Sequence, residues 1–158
     1  MNSSFLTTLI KTNDGIGPLL LRLALGGIMF PHGAQKVLGW FGGYGFSGTM
    51  GFFTDTLHVP WLFAVLAIAA EFLGALALIA GLFTRLAAAG IAATMAVAAM
   101  MVHTQHGFFM NWSGAQKGEG FEYHLLAIAI AGALIVQGGG KWALDSLVVR
   151  KLSPANPA

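Results

Sequence analysis

The chain has 158 residues, of which 56 % are hydrophobic and only 9 % are charged. A soluble domain has roughly 45–50 % apolar and about 25 % charged residues, so this composition excludes an ordinary soluble domain, and it leaves far too much apolar surface for a disordered chain. The sequence has no cysteine, which excludes disulfides and iron–sulfur clusters, and its net charge of +2 is too small to indicate a nucleic-acid partner.

Four apolar segments approach the length of about 20 residues that a helix needs to cross a bilayer. The predicted spans, in chain order, are residues 16–38, 61–83, 86–109 and 121–137. The fourth is the shortest and can cross only with little tilt. The sequence therefore predicts an all-α fold, a four-transmembrane-helix bundle in the lipid bilayer. It forms a single integral membrane domain over residues 1–158, with a frayed tail at 153–158.

The basic residues indicate the orientation of this bundle. Five of them would lie on the side of both termini, and only two, Lys36 and Lys117, on the other side. Because basic residues are in excess on the cytoplasmic side of a membrane, both termini are predicted to be cytoplasmic. The outer loop between the first two spans is rich in glycine and aromatic residues at 41–46. That composition is typical of an interfacial or re-entrant segment.

Ionisable side chains within a span are costly in lipid, so each is a candidate functional residue. Helical periodicity and depth bring five candidates for a ligand site together at the outer end of the bundle: His32, Lys36, His103, His106 and Glu122. Arg22 and Glu71 lie deeper, at matching depth, which predicts an intramembrane ion pair that clamps the bundle. His124 lies on the opposite face of its helix from Glu122 and is expected at the membrane interface.

The glycines of the first span bear on helix packing, and the histidines bear on whether the site could hold a metal or a haem. Gly26 and Gly33 lie on one stripe, which would let another helix approach closely. His103 and His106 are only three residues apart with no further ligand on their helix, so no metal site is predicted. His32 and His103 at similar depth would allow haem.

Several motifs, taken in order, resemble the DoxX family over about residues 18–145. The matching positions are Arg22, Gly26, His32, Gly33, Lys36, Glu71, Arg85 and Glu122, followed by the closing segment 138–145, in which Ala143 stands where serine is usual. The resemblance implies a multi-pass protein of the bacterial inner membrane. The family takes its name from the small membrane subunit of a thiosulfate:quinone oxidoreductase.

The favoured function is a redox-linked, quinone-binding membrane subunit that works with a soluble partner oxidoreductase. A quinone is favoured over haem because its head group needs hydrogen-bond donors and a proton route, which the polar residues at the outer end could supply. Two alternatives remain open: a structural or assembly subunit of a membrane complex, and a carrier or channel for a small solute. The sequence has no flavin or haem motif, so the chain is not expected to be a complete enzyme alone. Its alanine- and glycine-rich helix faces favour tight packing and allow a homodimer.

Overall fold

The computed structural model describes residues 10–152, so the tail predicted at 153–158 lies outside them. Helices dominate these residues, which contain no strand, and the predicted all-α fold is confirmed for them. The helices are α1 (Ile16–Leu38), α2 (Gly45–Gly51), α3 (Trp61–Ala80), α4 (Thr84–Ala98), α5 (Glu122–Gln137) and α6 (Leu144–Leu152). A π turn at Ala99–His103 and a 3-10 turn at Thr104–His106 extend α4.

In the part of the chain that the structure describes, three helical stretches are long and apolar enough to cross a membrane: α1, α3 and the extended α4, Thr84–His106. Helix α5 is apolar but shorter, with 16 residues. Helix α3 ends earlier than the predicted second span because Gly81 adopts a left-handed backbone conformation (φ 68°) that terminates it. The extended α4 ends before the predicted position for the same kind of reason, at Gly107 with φ 82°.

The four longer helices pack in cyclic order, α1 against α3, α3 against α4, α4 against α5 and α5 against α1. Their common core consists mainly of Leu25, Met29, Leu78, Ile91, Met95 and Leu134. Large side chains on the outer faces, such as Leu66 and Leu73 of α3, are exposed. An apolar exterior of this kind suits contact with lipid rather than with water.

Helices α1 and α3 approach most closely at the two glycines of the predicted stripe. A Cβ atom at Gly33 would lie 2.5 Å from the Cα atom of Phe72, and one at Gly26 would lie 2.9 Å from the carbonyl oxygen of Ala75. Any side chain at either position would therefore collide with the backbone of α3. This seam holds the C-terminal part of α1 directly over the middle of α3, where Glu71 lies.

Consecutive longer helices run in opposite directions, so the structure has two distinct ends. The C-terminal ends of α1 and of the extended α4 lie beside the N-terminal ends of α3 and α5. We call this the histidine end, because it holds His32, His103 and His124. The opposite end, where Arg22 lies, is the arginine end. The glycine- and aromatic-rich loop folds at the histidine end into α2 and a π turn, Phe52–Thr56.

Arg22 is buried at the arginine end and donates hydrogen bonds to four backbone carbonyls. Two belong to Leu78 and Ile79 in the last turn of α3, where a helix runs out of its own N–H donors. The other two belong to Gly139 and Lys141 in the segment between α5 and α6, at 2.8 and 3.3 Å. One side chain of α1 therefore fastens the end of α3 to the segment that follows α5.

Asp145 at the start of α6 caps the N-terminus of α4. Its carboxylate accepts the backbone N–H groups of Phe83 at 2.6 Å and Thr84 at 3.0 Å, and it is almost completely buried. An acidic side chain at a helix N-terminus satisfies donors that the helix itself cannot satisfy, and it complements the helix dipole. Here the cap comes from a residue 61 positions away from Thr84, so it also fixes α6 to the bundle.

We expect Asp145→Asn to lower the free energy of unfolding by about 1–2 kcal/mol, because the amide loses the charge and one of the two acceptor oxygens. Thermal unfolding in mild detergent measures this loss as a lower Tm. Asp14→Asn, at an exposed acidic residue of the same end, is the matched control and leaves Tm unchanged. A wild-type Tm in Asp145→Asn would show that the cap contributes nothing to stability.

Candidate functional site

A groove of about 970 Å³ runs along α3 and the extended α4 and reaches the histidine end. Its walls are mostly apolar, and Phe52 and Phe53 of the π turn after α2 cover part of it. The wall residues Leu66, Leu73 and Val97 are also exposed, so one side of the groove opens onto the outer surface of the helices. A long apolar molecule in the surrounding lipid could therefore enter from the side.

The polar lining of the groove is concentrated near the histidine end. Its ionisable members are His32, Lys36, Glu71, His103, Glu119, Tyr123 and His124. They come from α1, α3, the end of the extended α4, the following loop and the start of α5. The structure thus brings together three of the five predicted ligand candidates, His32, Lys36 and His103.

Lys36 and Glu71 form an ion pair across the seam between α1 and α3. Lys36 Nζ lies 2.6 Å from Glu71 Oε2, and the side chains are 24 % and 5 % exposed, respectively. The pairing offsets the cost of burying the carboxylate. An ammonium group has three N–H donors, and the described residues use one of them. Lys36 therefore keeps donors for a further group in the groove.

The predicted ion pair between Arg22 and Glu71 does not form. Glu71 is paired with Lys36, and Arg22 donates to backbone carbonyls at the arginine end. The predicted matching depth is wrong, because Arg22 lies against Leu78 and Ile79, about two turns of α3 away from Glu71. Each charge therefore finds a nearer partner. Backbone carbonyls are present at every residue, so nothing in a sequence marks the ones that will be free to accept.

The rings of His103 and His124 are in contact between the extended α4 and α5, with centroids 4.1 Å apart and planes tilted by 40°. His103 Nδ1 lies 2.9 Å from the carbonyl oxygen of Glu119. A carbonyl oxygen can only accept, so Nδ1 carries a proton, and in neutral His103 the other ring nitrogen, Nε2, is the acceptor. The loop carbonyl therefore fixes the tautomer of this imidazole.

The predicted position of His124, at the membrane interface, is wrong. Its side chain is only 6 % exposed, and its Nδ1 atom has no hydrogen-bond partner among the described residues. Buried polar atoms without a partner are rare, and this one belongs to a residue that lines the groove. The useful signal in the sequence was depth, since His103 and His124 lie at the same end of neighbouring antiparallel helices.

Tyr123 completes the polar cluster from the start of α5. Its ring lies 6.0 Å from that of His32 and 5.6 Å from that of His124, measured between centroids. Its hydroxyl group donates to Met29 Sδ at 3.4 Å, and sulfur is a weak acceptor. The hydroxyl can therefore exchange this partner for a better acceptor at little cost. The sequence analysis did not single out this tyrosine.

The remaining two candidates, His106 and Glu122, support the loop before α5 instead of lining the groove. Glu122 Oε1 accepts the backbone N–H group of Met110 at 3.1 Å. The ring of His106 covers Gly118, where a Cβ atom would lie 2.5 Å from Nε2. Glu122 thus fixes, and His106 packs against, the loop that brings the Glu119 carbonyl to His103.

A family model described as DoxX matches residues 17–104, which is more than half of the chain, and the chain therefore belongs to the DoxX family. The matched region contains α1, α3 and the extended α4 as far as Thr104, and so it includes Lys36, Glu71 and His103. Helix α5, with His124, lies beyond it. No curated protein and no solved structure matches the chain. The family match and the apolar helices together identify a membrane protein.

Proposed function

We propose that this DoxX family member binds a quinone in the groove along α3 and the extended α4, as the membrane subunit of a quinone-linked oxidoreductase. One observation carries the proposal: a single groove combines long apolar walls, open to the exterior, with a cluster of hydrogen-bonding side chains near one end. A membrane quinone likewise combines a long apolar part with a hydrogen-bonding part. Its isoprenoid tail is apolar, and its head group has two carbonyl oxygens that accept hydrogen bonds.

Lys36 and His124 are the proposed donors to the head group. They belong to α1 and α5 and line the same groove. Lys36 keeps N–H donors beyond its bond to Glu71, and the His124 Nδ1 atom has no partner among the described residues. A carbonyl oxygen placed at His124 Nδ1 would satisfy a buried group that otherwise costs stability. The neighbouring imidazole of His103 can exchange a proton with that of His124.

The electrons of the reaction have to come from outside this chain. The sequence lacks cysteine and any flavin or haem motif, so we propose a soluble partner oxidoreductase as the electron source. In this arrangement the chain supplies the quinone site and the proton-exchanging side chains, and it is not a complete enzyme alone. It would lie in the bacterial inner membrane with α5 as the fourth span and both termini in the cytoplasm. Basic residues near the arginine end support that orientation.

Extraction of the purified protein tests the proposal. The protein is purified in mild detergent, extracted with organic solvent and analysed for quinone by mass spectrometry. We expect close to one quinone per chain in the wild type and about a tenth of that content in His124→Phe and in Lys36→Met, because each substitution removes a hydrogen-bond donor to the head group. Phenylalanine and methionine keep the apolar volume and remove the donors.

His58→Phe and Lys117→Met make the same chemical changes outside the groove lining and serve as matched controls with wild-type quinone content. Thermal unfolding of each variant separates loss of the site from loss of the fold. The proposal fails if the wild-type protein yields no quinone and a short-chain quinone added to it does not bind. It also fails if all four variants retain quinone equally.

A structural or assembly subunit is the second candidate, and the network at the arginine end favours it. Arg22 and Asp145 join α1, α3, α4 and α6 with no ligand involved. An empty protein that folds normally would support this candidate. We do not propose a solute carrier, because the interior between the two ends is filled by Leu25, Leu78 and Ile91, each at most 2 % exposed.

A further inference from the structure

The arginine end has a second concave feature, which the proposed function does not use. An open depression of about 600 Å³ lies beside α6 and the segment that leads into it. Lys141 and Arg150 contribute basic side chains to its lining, Ser146 contributes a hydroxyl group, and Asp14 is the acidic member. This depression is far from the histidine end and has its own chemistry.

Helix α6 presents three different faces around its axis. Asp145 is buried against α4, and Ser146 and Arg150 face the depression. Leu144 and Leu147 are 41 % and 51 % exposed, and Leu147 lies at the edge where this apolar side meets the depression. A short helix with a protein-facing side, a polar side and an exposed apolar side is typical of a helix that lies in the plane of a membrane surface.

Trp142, just before α6, is exposed to 76 % although its backbone adopts a left-handed conformation with φ 59°. That conformation is unfavourable for residues other than glycine. Contacts of the indole ring with the described residues are too few to compensate for this unfavourable conformation. The ammonium group of Lys141 lies 5.3 Å from the centroid of the ring. Tryptophan beside a basic residue at the end of a span is typical of the membrane–water interface.

The surface charge at this end is clearly positive. The basic residues around the depression and α6 are Lys11, Lys141, Arg150 and Lys151. Asp14 is the one exposed acidic residue among the described residues of the same region, because Asp145 is buried as a cap. Basic side chains near a bilayer surface attract anionic lipids, and each contributes measurably to binding.

We propose that the depression binds the phosphodiester head group of an anionic phospholipid. Lys141 and Arg150 contact the phosphate, and Trp142, Leu144 and Leu147 enter the boundary between head groups and acyl chains. The ligand is the lipid of the membrane in which the protein lies, so α6 is an in-plane anchor. This site is independent of quinone binding at the opposite end.

Quenching of tryptophan fluorescence by brominated lipids tests the proposal on the full chain. The protein is reconstituted in phosphatidylcholine liposomes that contain increasing fractions of brominated phosphatidylglycerol or of brominated phosphatidylcholine. The difference between wild type and Trp142→Phe isolates the signal of Trp142. We expect half-maximal quenching at a fraction of brominated phosphatidylglycerol about fivefold lower than that of brominated phosphatidylcholine.

Two variants and added inorganic phosphate test whether the basic residues of the depression cause the preference for phosphatidylglycerol. The double variant Lys141→Gln/Arg150→Gln removes the preference, and Lys117→Gln, at an exposed lysine outside the lining, preserves it. Equal quenching by the two lipids in the wild type overturns the proposal, as does a preference that survives in the double variant. Loss of the preference in millimolar inorganic phosphate would identify free phosphate as the ligand and would also overturn the lipid assignment.

Discussion

Arg22→Gln is expected to lower the Tm of the protein in mild detergent by roughly 10 °C, which corresponds to about 3–5 kcal/mol for a chain of this size. Arg22 is 2 % exposed and is the shared donor to carbonyls of the α3 terminus and of the segment before α6. Glutamine is shorter and has one amide group, so it cannot reach both sets. The carbonyls left without a donor would be buried away from water, where each costs stability.

Three further variants test the reason for this loss. Arg22→Met keeps the apolar stem without donors and should lose as much stability as Arg22→Gln. Arg22→Lys keeps the charge, but a single ammonium group cannot span acceptors on two segments, so it should recover only part of the Tm. Arg85→Gln is the milder comparison, because Arg85 is less buried and, within residues 10–152, donates to Ile135 and Lys11. A wild-type Tm in Arg22→Met would contradict the clamp.

Gly33→Ala is expected to destabilise the protein by about 1–3 kcal/mol, because the new methyl group would overlap the backbone of α3 at Phe72 and force the helices apart. The matched control is Gly27→Ala in the same helix, where a Cβ atom meets nothing within 4 Å. There alanine should leave Tm unchanged or raise it, since it is the better helix former by up to about 1 kcal/mol. Equal Tm values for the two variants would disprove the close seam.

Gly33→Ala and Gly27→Ala also test whether the close contact between α1 and α3 controls ligand binding in the groove. Gly33 lies on α1, one turn before Lys36, where α1 contacts α3 beside Glu71. Moving α1 away from α3 therefore lengthens the 2.6 Å contact between Lys36 and Glu71. If the groove binds quinone, Gly33→Ala should reduce the quinone content while Gly27→Ala retains it. Quinone loss in Gly27→Ala instead would mean that the seam does not control the site.

The positions of the helices could be predicted because their signal is local. About 20 apolar residues in a row are enough to indicate a helix that can cross a bilayer. The first such segment, 16–38, has the bounds that α1 adopts, and glycines with positive φ explain the differences at the ends of α3 and the extended α4. The close approach at Gly26 and Gly33 was also readable, since only glycine removes the side chain altogether.

The partners of the polar groups could not be predicted in the same way. Arg22 binds backbone carbonyls, which carry no sequence signature, and Glu122 turns back to a loop N–H group instead of facing the interior. His124 was misplaced because the face of α5 was oriented by Glu122. The π turn at Ala99–His103 makes the partners of His103 harder to predict. Because a π turn is wider than an α-helical turn, the His103 side chain points in a different direction from the one that a regular helix would give.

The clamp at Arg22 also imposes an order on synthesis. Arg22 emerges from the ribosome early, and Gly139, one of its acceptors, follows 117 residues later. At about 5–20 residues per second, the guanidinium group waits between about 6 and 23 s before Gly139 is synthesised. During that interval α1 must keep its arginine in contact with water or with the insertion machinery. The contact of Arg22 with the segment beyond α5 is therefore the last part of this clamp to form.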